Sequence, residues 1–97
     1  MPAYTIADIE WHDEAKAVEY RKLLGPTLEK YGGRTLVANQ AQALEGDWKP
    51  RRVVIIEFPT MEVLQTWYHS AEHAPVLRLR NEGATTKMIA VERPSVP

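Results

Sequence analysis

The ten residues TWYHSAEHAP (66–75) gather side chains of this sequence that are suited to chemistry. His73 has an imidazole that can transfer protons, because its ordinary pKa lies near neutrality. Trp67 and Ser70 can line a ligand site, although Ser70 equally suits the cap of a helix that restarts after a break. Two interpretations therefore stay open: the wall of an active site, or the junction between two helical segments.

Glu57 is the second candidate for proton transfer. It lies near the end of the apolar run VVIIEF (53–58), so its carboxylate is expected to be partly buried. A buried carboxylate needs a cation or hydrogen-bond donors, since otherwise its pKa rises. Pairing with Arg80, Arg52 or Arg21 would make Glu57 structural, whereas an unpartnered Glu57 would be a candidate general base.

Metal and thiol chemistry are not expected. The sequence has no cysteine, which excludes disulfides, thiolate zinc sites and thiol nucleophiles. His69 and His73 are four residues apart, but the predicted helix break separates them. The order HSAEH also differs from the zinc-protease pattern, in which the acid directly follows the first histidine. We predict no metal site.

Charge and hydropathy exclude several classes of partner. The net charge is −1 and the short basic stretches KPRR and RLR are flanked by acids, which argues against nucleic-acid or anionic-membrane binding. No segment approaches the roughly 20 apolar residues that cross a bilayer. The start of the chain lacks the basic and apolar regions of a signal peptide, so a cytoplasmic location is expected.

The periodicity predicts the order strand–helix–strand–strand–helix–strand. Residues 3–11 alternate as a strand, 13–31 form a helix that Gly25-Pro26 should kink or restart, and 34–40 form a second strand. A third strand, a helix in two segments and a last strand follow. Two right-handed crossovers of this kind give a ferredoxin-like α+β fold, a four-stranded antiparallel sheet with both helices on one face. We predict a single domain over 1–93 and a tail at 94–97.

The third strand suggests a partner. Its residues Val53–Ile56 are apolar without alternation, which is typical of a strand covered on both faces. Two helices can cover only one face of the sheet. A second copy of the chain is the simplest cover for the other face, so we predict a homodimer with Trp48 as an interface anchor.

The motifs YGG, LEGDW and EFP followed by WY, in this order, resemble the domain of unknown function numbered 1330, over residues 1–92. That family is a subgroup of the dimeric α/β barrels, and the resemblance implies two ferredoxin-like units packed sheet to sheet. Its superfamily relatives include cofactor-independent monooxygenases, small isomerases and haem-binding or haem-degrading enzymes. No reaction follows from the resemblance, because fold does not fix function.

The topology places a cleft between helices and sheet, where we expect a small organic molecule to be bound or converted without a tightly bound cofactor. Tyr20, Arg52, Trp67, Ser70 and Arg80 are the expected ligand-binding residues, and His73 and Glu57 the expected proton-transfer residues. Most of these side chains are expected toward the end of the domain where the first helix begins. Two alternatives stay open: a non-catalytic dimer that binds a ligand or protein, and a haem protein with His73 or His69 as axial ligand.

Overall fold

The computed structural model describes residues 1–94, so most of the predicted tail lies outside the described residues. The predicted order of elements is confirmed, including the break in the second helical region. The elements are β1 (Ala3–Trp11), α1 (Glu14–Lys30), β2 (Arg34–Asn39), β3 (Val53–Phe58), α2 (Met61–Tyr68), α3 (Ala74–Gly83) and β4 (Ala84–Glu92).

The four strands form one antiparallel sheet in the order β2-β3-β1-β4. The first and third strands are central, as predicted. Ile6 in the middle of β1 pairs with Ile55 on one side and with Ile89 on the other. The ferredoxin-like fold that the sequence predicts is therefore present.

The alternation of β1 separates the two faces of the sheet. Ala3, Thr5, Ala7 and Ile9 are buried on the face that the helices cover, while the residues between them are only half buried. We call the opposite face the open face. The principal core lies between helices and sheet and consists of Ala3, Leu28, Ile56, Phe58, Leu64 and Trp67.

Helix α1 has a capped start, and Asp13 accepts a hydrogen bond from the backbone N–H of Lys16 at 3.1 Å. The helix continues through Pro26 to Lys30, so the predicted restart does not occur. Proline deprives the carbonyl of Lys22 of its helical donor, but this turn is exposed and water can replace the lost bond. Gly32, with φ of 70°, ends the helix in the left-handed conformation that favours glycine.

The segment between β2 and β3, residues 40–52, crosses toward the open face. Asp8 anchors it by accepting one hydrogen bond from the indole N–H of Trp48 at 3.2 Å and another from the backbone N–H of Arg51 at 2.9 Å. Trp48 is still 59% exposed. It lies beside Ile6, Lys87 and Ile89 and adds an apolar side chain to this face.

Candidate functional site

A cleft of about 240 Å³ lies between α1 and the covered face of the sheet; we call it the α1 cleft. Its walls are largely apolar, with a few polar groups, which is the usual composition of a small-molecule site. Tyr20 and Arg52, two of the residues predicted to bind a ligand, line it. The apolar walls come from Ile9, Trp11, Leu24, Leu28 and Val54.

Tyr20 connects this cleft to a buried charge. Its ring packs against Trp11, with centroids 5.3 Å apart. Burial raises the pKa of the Tyr20 hydroxyl, while the positive charge of Arg80 and a hydrogen bond from Arg80 act against this rise. Tyr20 therefore stays neutral at physiological pH, with its oxygen next to a guanidinium group.

Arg80 is only 3% exposed. Its Nε and Nη1 atoms are buried and have no hydrogen-bond partner among residues 1–94. A buried cation usually has a carboxylate partner, because the loss of hydration is otherwise uncompensated. Arg80 thus brings a positive charge into the interior without a protein carboxylate to balance it within the described chain.

His73 is completely buried and its ring stacks on Trp67, with centroids 4.1 Å apart. Nδ1 lies 3.0 Å from the carbonyl oxygen of Tyr68, so the neutral ring carries its proton on Nδ1 and donates it there. Burial lowers the pKa of His73, the bond to Tyr68 opposes this, and the charge of Arg80 lowers it further. Nε2 is therefore a free acceptor, since it has no partner within the described residues.

Acidification is expected to destabilise the protein through His73. Because burial lowers the pKa of His73 in the folded state below the ordinary 6.5, the unfolded chain binds a proton that the folded chain does not. The stabilising contribution is complete above the ordinary pKa and is lost as the pH falls toward the folded value. Urea unfolding at several pH values should show a steeper acid loss for the wild type than for His73→Asn. His69→Asn removes an exposed histidine nearby and serves as control; equal slopes for wild type and His73→Asn would contradict the prediction.

Ser70 and Trp67 are engaged in internal contacts. The Ser70 hydroxyl donates to the carbonyl of Trp67 at 2.8 Å and accepts from the backbone N–H of His73 at 3.2 Å. Ser70 therefore stabilises the turn before α3 and does not cap the helix as predicted. The N-cap position of α3 is His73. The indole N–H of Trp67 donates to the hydroxyl of Thr27 at 3.1 Å.

The predicted site residues do not all lie at one end of the domain. Trp67 packs on Phe58, which pairs with the start of β1, and the neighbouring Glu72 accepts a hydrogen bond from Tyr31 at the end of α1. The reason is that α2 has only eight residues and spans about 12 Å, so the chain turns before it reaches the far end. Arg80, two turns after His73, makes the link to Tyr20.

Glu57 lies on the open face, away from the α1 cleft. Its carboxylate accepts a hydrogen bond from the Nε of Arg34 at 2.8 Å. Glu57 thus has a basic partner, which is the structural alternative and not the free carboxylate of a general base, and this partner is none of the three arginines considered. Arg34 was missed because it becomes a neighbour only through the pairing of β2 with β3.

A second cavity of about 240 Å³ lies between α2 and β4 and was not predicted. Thr5, Tyr68, His69 and Met88 line it. The Oγ1 of Thr5 is buried and without a partner in the described chain. The available signal was a threonine in the inward-facing row of β1, which is otherwise apolar.

Groups of three or more metal-ligating side chains are absent from residues 1–94. Within the same residues, none of the helices has the length and apolar character needed to span a bilayer.

Comparison with solved structures finds the same fold in several bacterial proteins. A protein of unknown function from Rhodopseudomonas palustris, RPA0582, has a TM-score of 0.77 at 16% identity, over 97% of this chain and 83% of that one. A dimeric ferredoxin-like protein of unknown function from Jannaschia sp. CCS1 has a TM-score of 0.74 at 9% identity, over 96% and 100% of the two chains. SnoaB, a cofactor-independent oxygenase from Streptomyces nogalater, has a TM-score of 0.57 at 14% identity, over 99% and 97%.

No curated protein matches the chain. The family model for the domain of unknown function DUF1330 matches residues 2–94, which is nearly the whole sequence and agrees with the resemblance seen in its motifs. The chain therefore belongs to the DUF1330 family.

Proposed function

We propose that this protein is a homodimer that binds and converts a small organic molecule in the α1 cleft without a tightly bound cofactor. The observation that carries the proposal is the apolar cleft with Tyr20 in its wall and the buried Arg80 behind that hydroxyl. The Tyr20 hydroxyl can bind a carbonyl oxygen or a developing oxyanion by hydrogen bonding, and the low polarity of the site strengthens that hydrogen bond. The likeness in fold to a cofactor-independent oxygenase is consistent with this chemistry.

The predicted site residues differ in their roles in the proposed binding and conversion. Tyr20 donates to an oxygen of the ligand, and Arg52 contributes positive charge at the cleft wall. His73 is completely buried and does not line the cleft, so the proton transfer expected of it is not part of this proposal. Glu57 is left out because it pairs with Arg34 on the other face of the sheet. Trp67 and Ser70 position the ring and the backbone of His73 rather than touch the ligand.

The homodimer is supported by the pattern of the open face. The aligned residues Val37, Ile55, Ile6 and Ile89 form an apolar row across all four strands, here called the central row. Polar residues flank it: Arg34 pairs with Glu57 on one side, and Asp8 lies opposite Lys87 on the other. An apolar centre with a polar rim is the usual anatomy of a protein interface. The dimeric relative of the same fold adds to this argument.

A panel of quinones and aromatic enols, with haem and flavin included, tests the site by thermal denaturation. A ligand at a hundred times its Kd stabilises the folded state by about 2.7 kcal/mol, which raises Tm by several degrees for a domain of this size. Leu24→Trp should abolish the rise, because the larger side chain fills the α1 cleft. Tyr20→Phe should weaken it, since the ring remains and only the hydroxyl is lost.

Three outcomes would contradict the proposal. An equal rise in Tm for the wild type and Leu24→Trp would place binding elsewhere, for instance in the cavity beside β4. Binding in the cleft with no turnover of any bound compound would favour the non-catalytic binding module. A Soret band that depends on His73 or His69 would favour the haem protein.

A further inference from the structure

Four residues carry all the buried side-chain nitrogen and oxygen atoms that have no hydrogen-bond partner in the described part of the chain: Thr5, His73, Arg80 and Thr86. They lie on the covered side of the sheet. Thr86 pairs with Ile9, which faces inward like Thr5, while His73 caps α3 and Arg80 lies two turns further along it. Native structures leave few buried polar groups unsatisfied, so such a concentration in one layer needs a cause.

Among these four side chains, Arg80 has the largest unfavourable free energy of burial, because it is charged. The ion pairs found among residues 1–94 are all formed by other side chains. Its polar neighbours do not balance the charge: burial raises the pKa of the Tyr20 hydroxyl, so that it stays protonated, and burial keeps His73 neutral by lowering its pKa. A guanidinium in this state favours any anion that can reach it.

We propose that the ligand of the α1 cleft is an organic acid whose carboxylate, or an equivalent oxyanion, is bound by the Tyr20 hydroxyl and the Arg80 guanidinium. Tyr20 lines the cleft, and Arg80, which is buried outside the cleft lining, is near enough to the Tyr20 hydroxyl to act on its pKa. Tyr20 therefore lies between the space for the organic part and the charge for the acid. Nε and Nη1 of Arg80 are free to donate within the described chain. The inference rests on the proposed function, since it assigns a chemical class to the molecule bound there.

The free protein gives the first test. Arg80→Met is expected to raise Tm by a few degrees in the absence of any ligand, because it replaces a buried charge without a carboxylate by an apolar chain of similar length. Arg78→Met, on an exposed position of the same helix, is the matched control and should leave Tm nearly unchanged. A clear loss of Tm in Arg80→Met would show that Arg80 stabilises the fold as it stands, and would overturn the inference.

The second test uses benzoate and benzamide, which have the same ring and differ in charge. Titration is followed by the NMR signal of the Arg80 side-chain Nε–H, assigned by its loss in Arg80→Met, and by the backbone amide of Gly25 in the cleft wall. Benzoate should shift both signals and benzamide only that of Gly25. Arg80→Met should weaken benzoate binding by about tenfold to a hundredfold, the value of a hydrogen bond to a charged group. Arg78→Met should bind benzoate as the wild type does.

The outcomes separate this inference from the proposed function. If benzoate and benzamide shift Gly25 with equal affinity and Arg80→Met changes neither, the cleft binds small molecules but does not select acids. If neither compound shifts Gly25 at millimolar concentration, both the inference and the α1 cleft as a site for such molecules are contradicted. If benzoate binds and the Arg80 signal stays unmoved, the anion is held by another group.

Discussion

Trp67→Ala is expected to lower the free energy of unfolding by about 3–5 kcal/mol, the range for removing a buried large aromatic side chain. Trp67 is nearly completely buried and packs on Phe58, with ring centroids 4.8 Å apart, and on His73 at 4.1 Å. The substitution leaves a cavity at the centre of the core and deprives the Thr27 hydroxyl of its donor. Because domains of this size are stabilised by only about 5–15 kcal/mol, a large part of the stability is lost.

Urea unfolding followed by circular dichroism measures this loss. Trp67→Phe is the graded control, since it keeps an aromatic ring between Phe58 and His73 and loses the indole N–H. Trp67→Phe should lower the free energy of unfolding clearly less than Trp67→Ala does. A loss below about 1 kcal/mol for Trp67→Ala, the average for any substitution, would mean that the core can close around the missing ring.

Ile89→Asp is expected to dissociate the proposed homodimer, raising its Kd by at least about a hundredfold, the equivalent of roughly 2.7 kcal/mol. Ile89 is 62% exposed in the single chain, so a carboxylate there is solvated in the monomer and costs little. In an interface across the open face the same position lies in the central row, next to Ile6. A two-fold interface buries two new charges rather than one, which makes the effect large.

Sedimentation velocity over a range of protein concentrations distinguishes the two states. Val18→Asp places the same charge on the exposed surface of α1, outside the open face, and should leave the dimer intact. Thermal unfolding of both variants at low concentration checks that the monomer itself is folded. A dimer that survives Ile89→Asp must use another surface, and the central row would then need a different explanation.

The fold was largely predictable because its signals are local. The alternation of β1, the caps Asp13 and Thr60, and the glycines after α1 each have a mechanism that acts within a few residues. The handedness of the crossovers then leaves few topologies. The restart expected at Pro26 was the exception, because the cost of a proline in a helix depends on whether the lost hydrogen bond faces water, which is a tertiary property.

The site was less predictable because it depends on distances between elements. Tyr20 and Arg52 were expected in one cleft and do line one. The separation of Trp67 from them follows from the short length of α2, and the partner of Glu57 follows from the register of β2. That register includes an irregularity between Thr35 and Val37, which no local pattern in the sequence indicates. The roles of these residues in binding and catalysis stay predictions.

The small residues Ala3, Thr5 and Ala7 on the covered face of β1 have a consequence for how this protein can diversify. Because they project little from the sheet, they leave room for long side chains from the helices, and Ala3 shares its core cluster with Trp67 of α2. Substitutions in the helices can therefore reshape the interior while the strands keep the side chains of their other face. New specificities can arise on one side of the sheet without altering whatever packs against the other.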